Sequence, residues 1–183
     1  LPDQFWGDIH DAIEESMDGA ERVANIVKAL RNFSRLDESE FKQANLIEGL
    51  KSTLQIIKAT YKQQITFVEE YASVREIFCN PGTLNQVFMN LIVNAADAVE
   101  SQGQVIIRAF EEADQIVVQV EDNGIGMKEE TLSHLGEPFF TTKPVGSGTG
   151  LGLAISYGII QNHHGMIQFT SEPGQGTLAE VKI

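Results

Sequence analysis

The stretch EPFFTTKPVGSGTGLGLAISYG, residues 137–158, limits what this chain can fold into more than any other segment. Glycines at positions 146, 148, 150 and 152 alternate with other residues, and neither a helix interior nor a paired strand holds such a backbone cheaply. An apolar run follows that reads as a helix ending near His164, with Gly165 placed to terminate it. A glycine loop therefore feeds directly into a helix N-terminus, where backbone amides attract phosphate and missing side chains cannot obstruct it. The pattern is neither G-x-x-x-x-G-K-[ST] nor the dinucleotide G-x-G-x-x-G in its strand-turn-helix setting. Lys143, just before the glycines, is either a mobile contact to a terminal phosphate or an ordinary solvated lysine.

The rest of the chain supplies helices and strands in about equal measure. Ile9, Ile13, Ala20, Val23, Val27 and Leu30 fit a heptad seam and predict a long amphipathic helix that needs a partner for its apolar face. The charged DESEFKQ breaks that pattern. Asn45 with Glu48 reads as a capping-box-like start of a second helix carrying Ile47, Leu50, Leu54 and Ile57. Two β-type runs, ITFVEEY and REIFC, precede a helix that Asn80 caps, Pro81 opens and Gly103 ends. QVIIRAF and QIVVQVED predict one hairpin, and MIQFTSE and TLAEVKI around PGQG another. The mixture points to an α+β two-layer sandwich, an open sheet with helices on one face.

Composition narrows the ligand. Thirteen basic against 26 acidic residues give a net charge of −13, which opposes non-specific binding to nucleic acid or an anionic membrane. A polyanion must be held by local devices: backbone amides, a divalent metal, one well-placed lysine. The single cysteine, Cys79, has no disulfide partner and reads as a small buried hydrophobe on a strand. No apolar run is long enough for a membrane span and no signal peptide is visible.

Two further constellations could carry chemistry. On the helix after Pro81, Leu84, Val87, Leu91, Ala95 and Ala98 centre one face while Asn90 and Asn94 share its shoulder. Carboxamide oxygens are hard ligands that suit Mg²⁺, although two half-exposed asparagines with local hydrogen bonds give the same pattern. In VEDNGIGM, Asp122 ends an apolar strand and Gly124 and Gly126 follow at spacing two. That carboxylate could accept from the exocyclic amine of a base such as adenine, or close an ordinary Asp-Asn-Gly turn. Gly174, Gly176 and Thr177 form a last glycine site, by itself a hairpin turn.

Taken in order, these motifs resemble the catalytic ATP-binding domain of sensor histidine kinases, in the superfamily shared with DNA gyrase and a heat-shock chaperone. The resemblance runs from residue 41 to 183 and implies a mixed, mostly antiparallel sheet covered on one face by helices. It makes Asn94 the magnesium ligand and Asn90 its helper near the phosphates. Asp122 becomes the adenine contact, with Gly124, Gly126 and Thr177 beside it. Phe139, Phe140 and Lys143 fall in the phenylalanine box, Gly148, Gly150 and Gly152 in the second glycine box, and residues 128–149 in the flexible ATP lid. Residues 1–40 resemble the second helix of the dimerisation and phosphotransfer hairpin, the helix bearing the acceptor histidine being absent. His10, followed by Asp11, lacks the proline typical downstream and lies too close to Asn94 to be that acceptor. His134, His163 and His164 are expected on the solvated surface.

The resemblance implies transfer of the γ-phosphate of Mg-ATP to a histidine, then to a response-regulator receiver domain, by a cytoplasmic homodimer whose membrane anchor, if present, lies upstream. Superfamily members that hydrolyse ATP carry a glutamate where Asn90 stands, so no general base for water is in place here. A serine kinase of the anti-sigma type and a non-catalytic nucleotide sensor share the ATP domain. The long N-terminal helix argues against the first, the intact motif set against the second. Ala98 stands where some relatives have an aromatic against the base, leaving Ile125 or Met127 to pack on it.

Overall fold

The computed structural model describes residues 17, 40–61, 65–100, 102–144 and 148–183. The predicted dimerisation helix, His10 and Gly146 lie outside the described residues. Five strands form one sheet in the order β2-β4-β5-β7-β6: β2 (Ile65–Tyr71), β4 (Gly103–Glu112), β5 (Gln115–Asp122), β6 (Met166–Glu172) and β7 (Gly176–Lys182). Only β2 and β4 pair in parallel; every other neighbour is antiparallel. A parallel pair needs a long crossover. Here β3 (Ile77–Cys79) and a 17-residue helix supply it.

Three helices cover one face of the sheet, as the α+β reading requires. In α1 (Leu46–Thr60) the Asn45 side chain accepts the Ile47 N–H at 2.9 Å, and Leu46, Leu50, Leu54 and Ile57 are buried. In α2 (Pro81–Asp97) the Asn80 oxygen accepts the Thr83 N–H at 3.2 Å, and Leu84, Val87, Phe88, Leu91 and Ile92 enter the core. Short α3 spans Glu129–Ser133, inside a segment expected to be a bare loop. Last, α4 (Gly152–Asn162) packs Ile155, Ile159 and Ile160 against α2 and β6. Val105, Ile107, Val118, Val120 and Val181 meet these helices from the sheet. On the other face Arg108 pairs with Glu70 and Glu121.

Several boundaries differ from expectation for identifiable reasons. Helix α2 stops at Asp97, not near Gly103, because the Ala98 carbonyl turns to accept the Ile125 N–H at 3.0 Å. Helix α4 ends at Asn162 with His163 as its cap, two residues short of expectation, and His164 beyond takes the left-handed conformation with φ 57°. His164 N–H bonds Gln161 O and Gly165 N–H bonds Ile160 O, a Schellman closure. Gly165 serves a different purpose, since a side chain there would strike the Lys182 carbonyl. Residues Lys42–Ala44, within the charged break, form β1 and pair antiparallel with β3, and Cys79 is fully buried there.

One expectation is overturned. His163 is half-buried: its Nε2 accepts the Asn80 N–H at 3.0 Å, its Nδ1–H donates to Ile159 O at 2.8 Å, and its ring stacks on Phe41. The histidine thus joins the end of α4 to the start of α2 and to β1, and burial pushes its pKa down. A count of polar residues near a helix end does not anticipate a ring held by three elements.

Candidate functional site

The predicted residues gather at two poles joined by the last turn of α2. The first pole is built where β5 ends. Asp122 is 5% exposed and faces Thr177 across the β5–β7 register. Its Oδ1 accepts the Gly124 N–H at 2.8 Å, and the Thr177 backbone N–H also donates to the carboxylate. Burial nonetheless holds this carboxyl above its ordinary value, outweighing both amides. A buried carboxylate in that condition gains from another donor, as an exocyclic amine would provide.

Around Asp122 the chain is tied tightly. Gly124 passes so close to α2 that a Cβ would collide with the Ala98 carbonyl oxygen. Asn123 Oδ1 accepts the Gln104 N–H at 2.8 Å, anchoring the turn to β4. Ser171 Oγ accepts the Met127 N–H and donates to the Gly176 carbonyl, both at 2.8 Å, and lies 2.9 Å from Thr177 Oγ1. Ile125, 54% exposed, is the apolar side chain that this turn presents to solvent.

The second pole runs along α2, where Asn90, Asn94 and Asp97 recur at helical spacing. Asn90 Nδ2 donates to Gly152 O at 3.0 Å and to Ser156 Oγ at 3.1 Å. Its amide therefore fixes the first turn of α4 against α2. The Lys143 ammonium lies 2.6 Å from Asp97 Oδ2 and 3.4 Å from Asn94 Oδ1. Tyr61 O–H donates to the other Asp97 oxygen at 2.5 Å. Burial first, and Asp97 second, push this phenol up to about 12. An ammonium on two hard oxygens marks a seat suited to a cation, and the Asn94 carboxamide oxygen is the hard donor type that suits Mg²⁺. Among the described residues no group of three His, Cys, Asp or Glu could hold a metal without such help.

The poles connect through backbone: Ala98 N–H bonds Asn94 O at 3.1 Å, and Ile125 N–H bonds Ala98 O at 3.0 Å. Phe139 N–H, midway along the predicted lid, donates to Gly150 O at 3.0 Å, just past its far end. Phe139 takes φ 69° and is 63% exposed; Phe140 packs its ring on His134. Gly148 lies beside Thr141 and Lys143. A separate groove of about 490 Å³ between Leu132, Leu135, Tyr157 and Phe169 contains none of the predicted residues.

Sequence reasoning missed Asp97, Tyr61, Ser156 and Ser171. Asp97 was within reach, since it stands three residues past Asn94 on the same helix face. Tyr61 and Ser171 arrive from distant parts of the chain and carry no local signal.

Residues 79–183 match the family model described as histidine kinase-, DNA gyrase B- and HSP90-like ATPase. Sporulation kinase E of Bacillus subtilis is 31% identical over 169 residues, covering 88% of this chain and 22% of that protein. The chain thus spans about a fifth of that relative's length. The catalytic domain of histidine kinase ThkA superposes with a TM-score of 0.71 at 28% identity, covering 79% of this chain and 95% of that one. ThkA in complex with response regulator TrrA gives 0.71 at 22% identity, covering 88% and 47%.

Proposed function

The chain belongs to the histidine kinase-, DNA gyrase B- and HSP90-like ATPase family, and from that premise we propose that it is the catalytic part of a sensor histidine kinase. The supporting observation is the spacing of the two poles along one turn of α2: a buried carboxylate for a base at one end, Asn94 and Lys143 for phosphates at the other. In this reading Asp122 and Thr177 bind adenine, with Gly124 and Gly126 giving the ring access. Asn94 would hold Mg²⁺, whose charge would screen the phosphate oxygens. The glycines at 148, 150 and 152 offer amides at the start of α4, and Lys143 neutralises charge on the terminal phosphate. Phe139 and Phe140 frame the lid.

Phosphoryl transfer needs position and charge neutralisation above all. Asn90 cannot serve as a base, and its amide is committed to Gly152 and Ser156, which favours a histidine acceptor over water. That acceptor would sit on a helix preceding residue 1, with residues 1–40 as the second helix of a dimerising hairpin. The same reading assigns a cytoplasmic homodimer and, as in the ThkA complex with TrrA, a response-regulator partner. Among the described residues no helix is long and apolar enough to cross a membrane.

The test uses ATP labelled at the γ-phosphate, magnesium, and a version of the chain extended upstream by one helical hairpin. Acid-labile, base-stable label on protein is the expected result, lost in Asn94→Ala. Free phosphate without protein label would make water the acceptor and overturn the assignment.

A further inference from the structure

The pairing of Lys143 with Asp97 leads beyond the nucleotide site as just assigned. Asp97 is the last residue of α2, where the helix carbonyls already concentrate negative charge, and no basic residue lies in that last turn. Helix dipole and carboxylate therefore act together in drawing a cation from elsewhere in the chain. The Tyr61 phenol holds one carboxylate oxygen and so leaves the other to the lysine. Tyr61 itself is fixed, because its backbone N–H closes α1 on Ile57 and its ring packs against the core. The ion pair is one-third exposed at both partners, which places it in the range of bonds that a ligand can exchange.

We infer that Asp97 is a positioning residue for the lid lysine: it parks Lys143 across the Asn94 oxygen and must release it before the ammonium reaches a nucleotide phosphate. The inference rests on the nucleotide-binding reading of the site. Two competitions follow from the geometry. The ammonium sits at the oxygen assigned to the metal, so cation and lysine exclude each other there. The same ammonium cannot pair with Asp97 and with a terminal phosphate at once, so nucleotide binding includes breaking the pair. Asp97 thus sets how readily the lid lysine changes partners.

The test is a double-mutant cycle on affinity for Mg-AMPPNP, read by calorimetry at low salt, with Asp97→Asn, Lys143→Met and the double variant. Asp97→Asn is isosteric and keeps an acceptor for Tyr61. With Lys143 present it should tighten binding about two- to fivefold, the range of a partly exposed pair. In the Lys143→Met background it should change binding by less than about 1.3-fold, below that range. Equal tightening in both backgrounds would mean that Asp97 acts only by its bulk charge, and weakened binding would make it a metal holder; either overturns the inference. Amide hydrogen exchange without nucleotide gives a separate readout: residues 139–144 should exchange faster in Asp97→Asn. No binding by the parent chain would sink the nucleotide reading itself, and the exchange comparison would still decide whether Asp97 positions Lys143.

Discussion

Replacing Gly126 by alanine should damage the Asp122 pole through backbone geometry alone. Gly126 has φ 62°, and an added Cβ would lie 2.8 Å from the Glu172 carbonyl carbon and 3.1 Å from Gly176 O, with the Glu172 oxygen closer still. Left-handed backbone costs an L-residue about 1–2 kcal/mol. Because both neighbours are backbone, relief requires the Ile125–Met127 turn to move off the β6–β7 hairpin, straining the Met127–Ser171 and Gly174–Ile125 hydrogen bonds. Together these set an expected loss of about 2–4 kcal/mol. Two other glycines separate the contributions. Gly174 has φ 77° with nothing within 4 Å, so Gly174→Ala should show the conformational cost alone, about 1–2 kcal/mol. Gly158, inside α4 and equally unobstructed, should gain up to about 1 kcal/mol as alanine. Urea melts of the three variants check the order. If Gly126→Ala costs no more than Gly174→Ala, the close approach of the two backbones is not what holds this turn.

The remaining expectations concern the helix layer. His163 has a lowered pKa, so the unfolded chain binds its proton more tightly than the folded one; stability from this group is complete above about pH 6.5 and is lost as pH falls through the folded value. Urea melts of the parent and His163→Gln between pH 8 and 5 should show the steeper acid loss in the parent, and parallel curves would refute it. Asn90→Asp removes two donors and sets a carboxylate against the Gly152 carbonyl, so a loss of about 1–3 kcal/mol is expected. An unchanged thermal midpoint would mean that the asparagine does not join α2 to α4.

Much of the fold was legible because local signals agreed with tertiary needs. Asn45, Asn80 and Pro81 start their helices where capping chemistry puts them. Asp122, Gly124 and Gly126 form one turn, as their spacing required. What escaped depends on contacts between distant segments. Nothing local in Lys42–Ala44 encodes its pairing with Ile77–Cys79, and no period reports that His163 will accept a bond from Asn80. The end of α2 was misplaced for the same reason, because the group that stops it, Ile125 N–H, lies 27 residues beyond Ala98.

The charge balance explains why those long-range contacts matter at the site. With a net charge of −13, the chain cannot gather phosphate by a general positive field. Four of its described cations are committed elsewhere: Lys58 to Glu69, Arg75 to Glu111, Arg108 to Glu70 and Glu121, Lys182 to Glu112 and Glu180. Lys143 is also paired, but with a carboxylate one turn from Asn94. Holding the lysine there keeps a positive charge beside the site in an otherwise acidic protein, and the limited strength of a pair one-third exposed lets it leave. The carboxylate whose own charge opposes a polyanionic ligand is in this arrangement what keeps the needed cation within reach of it.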